Sequence, residues 1–148
     1  MNNDSIRWRS AAVLLALVLG ACGGDSEEGA ATNKAEWEAR HGPVINAVSL
    51  DVDAANDALT KGDRAVILSS CNQLQEDLAD AQDALPVPDP AVDGSLRAAI
   101  DSIGKATPTC LQGARIANDN HLVEQAQREM KDARTKLDEA QQAIAAWA

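Results

Sequence analysis

Residues 120–147, Asn-His-Leu-Val-Glu-Gln-Ala-Gln-Arg-Glu-Met-Lys-Asp-Ala-Arg-Thr-Lys-Leu-Asp-Glu-Ala-Gln-Gln-Ala-Ile-Ala-Ala-Trp, hold an uninterrupted helical pattern. Leu122, Ala126, Met130, Ala133, Leu137, Ala140, Ile144 and Trp147 recur in steps of three and four, which places them on one face of a helix. The other face carries Glu124–Arg128, Asp132–Lys136 and Arg134–Asp138 at i,i+4 spacing, each pair contributing roughly a few tenths of a kcal/mol. Asp119 or Asn120 supplies the N-cap. A helix with one apolar stripe is not stable alone and must bury that stripe against others.

Three further stretches repeat the pattern. Upstream, residues 90–117 present Val92, Leu96, Ala99/Ile100, Ile103, Ala106 and Cys110. Asp89-Pro90 gives an N-cap and N1 pair, and Gly104 with Pro108 predicts a bend around 104–108. Residues 63–85 start at the N-cap Asp63 and present Ile67, Cys71, Leu74, Leu78, Ala81 and Leu85, then stop at Pro86, Pro88 and Pro90. Residues 35–60 present Trp37, His41, Val44/Ile45, Val48, Val52, Ala55 and Leu59. Asn33 with Glu36 reads as a capping box at their start, and Gly42-Pro43 predicts a restart or kink. Gly62 closes the segment as a residue that tolerates left-handed backbone. No strand-like alternation and no fixed-period repeat is seen. Four amphipathic helices on short turns predict an all-α, up-down-up-down four-helix bundle over residues 34–148.

The start of the chain is of another kind. Arg7 and Arg9 precede an uncharged run, Ala-Ala-Val-Leu-Leu-Ala-Leu-Val-Leu-Gly at 11–20, which is too short to span a bilayer. Leu19-Gly20-Ala21-Cys22 follows, and this segment resembles the lipobox signal of bacterial lipoproteins. The resemblance covers about the first 22 residues. It implies that residues 1–21 are a cleaved signal peptide, that the Cys22 thiol receives a diacylglycerol, and that palmitate-type acyl chains hold the protein on the extracytoplasmic face of a cell membrane. Two or three chains give stable attachment where one is marginal. Residues 22–33 are small, polar and acidic and read as a flexible tether. The remaining domain loosely resembles small helical lipoproteins of actinobacteria, with no motif to carry over.

Removing residues 1–21 leaves 127 residues with 11 basic and 22 acidic side chains, a formal charge of −11. That charge argues against nucleic-acid binding and against adhesion to anionic lipid except through the acyl anchor. The chain has no Phe, no Tyr and three Trp. A core of Ala, Leu, Val and Ile demands close helix approach.

Candidate chemistry is sparse. Cys71 and Cys110 are the thiols left after lipidation, and an even pair in an exported chain predicts a disulfide. Measured from Leu85 and Pro90, however, ideal helices would leave the two about 9 Å out of register. The expected bend, or a later start of the third helix, would absorb the offset. His41 and His121 fall near opposite ends of antiparallel helices, roughly 25–30 Å apart by helical rise, so they share no haem or metal site. Asp51, Asp53 and Asp57 lie within a helix and lack a calcium loop. Ser69-Ser70 forms no nucleophile elbow. No catalytic residue, metal or cofactor is expected. Trp37 and Trp147 fall at the same end of the bundle, either as a plug or as an interaction patch. The expectation is a non-catalytic binding or structural module of the cell envelope whose partner is another envelope protein. The alternative is a carrier for a small apolar ligand such as a lipid, which requires a cavity of roughly 300 Å³ or more.

Overall fold

The computed structural model describes residues 26–116 and 120–148, with side chains from residue 33 onward. Four helices follow one another: α1 (Ser26–Lys61), α2 (Arg64–Gln82), α3 (Pro90–Arg115) and α4 (Asn120–Ala146). They pack as the expected bundle, each against its chain neighbours and α1 against α4. The α3–α4 interface is the broadest and the α1–α4 interface the narrowest.

Each helix buries the stripe the sequence predicts. Val48, Val52, Ala55 and Leu59 of α1 meet Ile67, Cys71 and Leu74 of α2, Leu96, Ile103 and Cys110 of α3, and Met130 and Leu137 of α4 in one core. His41, Val44, Leu85, Leu122 and Ile144 lie at its margin, half-buried. The α4 stripe alternates Ala126, Ala133 and Ala140 with Met130 and Leu137, all buried, and α3 offers Ala99 and Ala106. Methyl side chains at alternate turns let α3 and α4 approach closely, which explains the breadth of their contact. Gly113 serves the same seam. A Cβ there would meet the Val123 amide nitrogen at 3.4 Å and the Leu122 carbonyl carbon and oxygen at 3.5 Å.

The helix ends follow their caps. Asp63 accepts from the Ala65 and Val66 amides, and Asp89 from those of Ala91 and Val92. Gly62, at φ 74°, makes the left-handed turn between α1 and α2. Three expectations are corrected. First, α1 begins at Ser26 rather than near residue 35, so 26–33, read as part of a flexible tether, is helical and Asn33 is no cap. Glu27 and Glu28 suit the positive end of the helix dipole, and Ala30 and Ala31 are strong helix formers. Second, α1 runs unbroken through Pro43, so no helix restarts there, and α3 likewise continues through Pro108. Third, the expected Glu124–Arg128 and Asp132–Lys136 pairs are replaced, since Lys136 meets Glu139 at 2.9 Å and Asp132 accepts from the Ser102 hydroxyl. Arg134 keeps Asp138, at 3.2 Å, and adds Asp53 on α1 at 3.1 Å. The signal segment 1–21, Cys22 and the Asp119 cap lie outside the described residues.

Cys71 and Cys110 are joined by a disulfide, with Cα atoms 6.2 Å apart. The register problem is solved by the linker. α2 ends at Gln82, and residues 83–89 continue past it before α3 starts at Pro90. Residues 83–85 continue in turns hydrogen-bonded to Asp80, Ala81 and Gln82, and together with 86–89 they cover an offset of nine helical residues, about 13 Å. Ala84 and Val87 are buried along the way, and the Leu85–Pro86 peptide bond is cis. The Val87 amide donates to Asp93, tying the linker to the first turn of α3. Closing a loop between residues 39 apart contributes roughly 3–4 kcal/mol. Chemical denaturation with and without a thiol reductant is expected to show a stability loss of that size. Coincident curves would mean that the bond adds nothing to the packing around it.

Candidate functional site

Because α1 and α4 are antiparallel, the start of one meets the end of the other. Trp37 and Trp147 rings lie 5.8 Å apart at this end, and the His41 ring lies 5.5 Å from that of Trp37, tilted 40° to it. Both indoles are buried, at 7 % and 8 % exposure. Trp37 Nε1 donates to the Ala84 carbonyl at 3.0 Å, and Lys34 Nζ donates to the Trp147 carbonyl. Buried together, the two rings plug this end of the bundle. In a chain without Phe or Tyr, these rings are the bulkiest fillers available where the helices splay and the linker crosses.

His121 lies at the opposite end, exposed at the start of α4. The antiparallel pairing that separates it from His41 is fixed by Asn56 donating to the Met130 carbonyl and Gln127 to that of Leu59. Asp53 and Asp57 are taken by Arg134 and Lys61, leaving no acidic cluster around Asp51 on α1. Among the described residues, no group of three or more His, Cys, Asp or Glu side chains could hold a metal ion. The remaining thiols are consumed in the buried Cys71–Cys110 bond.

Of the grooves between helices, two are larger than the one of about 340 Å³ between α3 and α4 at Ser102 and Asp132. One, of about 510 Å³, lies between α1 and α4 beside the indoles, with Trp37, Pro43, Ile45 and Ile144 as its apolar lining and Glu38 and Gln141 at its edges. The other, of about 610 Å³, lies between α2 and α3 over Leu78 and Leu111. None of the fully buried core side chains, such as Leu59, Leu74, Ile103 or Met130, lines either groove. Both are surface features rather than openings into the seams.

Sequence reading missed a carboxyl pair. Asp51 of α1 faces Asp77 of α2, and the Asp51 Oδ2 atom is closed off from solvent with no donor. Burial, then a hydrogen bond that protonated Asp51 donates to Asp77 and the repulsion of the Asp77 charge, push the Asp51 carboxyl up to about 6. Gln73 donates to the other partner, at Asp77 Oδ1. Asp51 adjoins the stripe residue Val52, and Asp77 adjoins Leu78. Those positions mark the edges of the α1–α2 seam and are the signal that could have found the pair. The opposite case is Asp93, whose carboxyl is held below the usual range by the Arg97 guanidinium and then by the Val87 amide.

Two tests follow from this geometry. Trp37→Phe keeps a ring in the plug but leaves the Ala84 carbonyl without its donor, and is expected to cost about 1–3 kcal/mol in denaturant unfolding. For Asp51, a pKa raised above that of the unfolded chain means that the fold is penalised at pH above about 6. The penalty is relieved as pH falls from about 6 towards 3.8, where the unfolded carboxyl also takes its proton. Asp51→Asn is therefore expected to be more stable than the parent at pH 7–8, by the order of 1 kcal/mol after solvent screening. The gap should close towards pH 4, and a constant gap in paired thermal melts would rule out the carboxyl pair as its source. No protein-family model, curated protein or solved structure compared with the chain matches it.

Proposed function

We propose that this chain is an exported, lipid-anchored helical module of the cell envelope, non-catalytic, that binds or braces another envelope protein. The observation that carries the proposal is Leu19-Gly20-Ala21-Cys22 behind a basic start and a short apolar run. The Cys71–Cys110 bond supports it, because disulfides persist in oxidising, extracytoplasmic compartments. No helix among the described residues is long and apolar enough to cross a membrane, so membrane attachment would come from the acyl chains on Cys22. The acidic balance of the chain supports a protein partner over nucleic acid.

A carrier of a small apolar molecule such as a lipid is the second reading, favoured by the apolar lining of the α1–α4 groove. Its volume exceeds that of a minimal ligand site, about 300 Å³.

Native mass spectrometry of protein extracted gently from its own membrane tests both readings. The expected mass is that of a chain starting at acylated Cys22, with or without a bound protein. A discrete small apolar adduct would favour the carrier, and an unmodified Cys22 would overturn the anchor.

A further inference from the structure

The groove between α2 and α3 is unlike the rest of the surface in what it leaves unpaired. Pro108 sits inside α3 and has no N–H, so the carbonyl of Gly104, four residues earlier, loses its helical donor. Gly104 and Pro108 both line the groove, and Gly104 has no side chain to cover its own backbone. Gln75 and Gln112 also line the groove, exposed and without side-chain hydrogen bonds among the described residues. Arg115 stands at the lower end and makes no ion pair among the described residues, in a chain of net charge −10.

We propose that this groove holds the C-terminal end of an extended peptide segment, with its carboxylate on Arg115 and a backbone N–H on the Gly104 carbonyl. The inference deepens, and rests on, the reading of the chain as a module that binds another protein. A guanidinium pairs with a carboxylate in a two-pronged hydrogen bond, and the isolated positive charge selects a negative terminus. Glutamine amides offer both a donor and an acceptor, as a peptide backbone does. Gly104 and Arg115 are eleven residues apart on α3, about 16 Å by helical rise. About five extended residues cover that span. Leu78 and Leu111 give the floor an apolar surface for small side chains, while no aromatic ring lines the groove to stack a sugar.

The test is amide-resolved NMR of the full chain, titrated with a pool of N-acetylated random pentapeptides bearing free C-terminal carboxylates. The same pool carrying C-terminal amides and sodium acetate alone serve as comparisons. Saturable shifts at Gly104, Gln112 and Arg115 are expected with the acid pool, about tenfold weaker with the amidated pool and in Arg115→Gln. Pro108→Ala restores the missing donor to Gly104 and favours the helix, so it stays folded, and is expected to weaken binding about fivefold. Equal shifts from the amidated pool, shifts reproduced by acetate, no saturable shifts at these residues, or unchanged binding in Pro108→Ala would each overturn the proposal. An acylated Cys22 beside a silent groove would leave the anchor standing and sink only the groove. Saturable binding by a chain with unmodified Cys22 would do the reverse.

Discussion

The offset between α2 and α3 governs the rest of this bundle. A hairpin of two helices joined by a tight turn would pair Gln82 with the first residues of α3 and leave Cys71 opposite a position well before Cys110. Instead the chain runs on through the turns and bends of residues 83–89, buries Ala84 and Val87, and enters α3 at the Asp89 cap. That extension brings the two cysteines level and offers the Ala84 carbonyl to Trp37. It also gives α3 its first two turns beyond the end of α2, where Val92 and Leu96 are buried with the linker and α4. The prolines of the linker serve this geometry, since they favour extended backbone and cannot extend α2.

The four stripes, the caps at Asp63 and Asp89, and the antiparallel order were legible in the sequence because each follows from local chemistry. Periodicity of three and four residues reports burial directly, and an Asp before Arg-Ala-Val or Pro-Ala-Val reports a cap. Three features were not legible, for different reasons. The stretch after Ser26 has no apolar stripe in its sequence, and periodicity cannot report a helix without one. The register of Cys71 and Cys110 depends on the conformation of seven linker residues, which helix geometry does not contain. The Asp51–Asp77 pair depends on the rotation of α1 against α2, and that rotation is set by the whole core.

The same division holds for function. Leu19-Gly20-Ala21-Cys22 is a short linear motif and can be read residue by residue, whereas the grooves are made by pairs of helices. The α2–α3 groove is a case where one residue carries two meanings. Pro108 looks in the sequence like a helix breaker, yet α3 continues through it. The missing N–H leaves the Gly104 carbonyl without its helical donor, in a groove that the unpaired Arg115 also lines about three turns further on.

The early start of α1 changes how the domain would be held. Lys34 already meets the Trp147 carbonyl, so the helical residues before it run beyond the end of α4. Eight residues, 26–33, add about 12 Å of rod to that end. A soft leash lets a domain sample every orientation and serves reach. A rod continuous with α1 acts as a lever, so any tilt imposed at its base is passed to the whole bundle. Under anchoring at Cys22, four residues before Ser26, both grooves would sweep a restricted set of heights and bearings above the membrane. A partner would then be chosen partly by where its own binding segment stands.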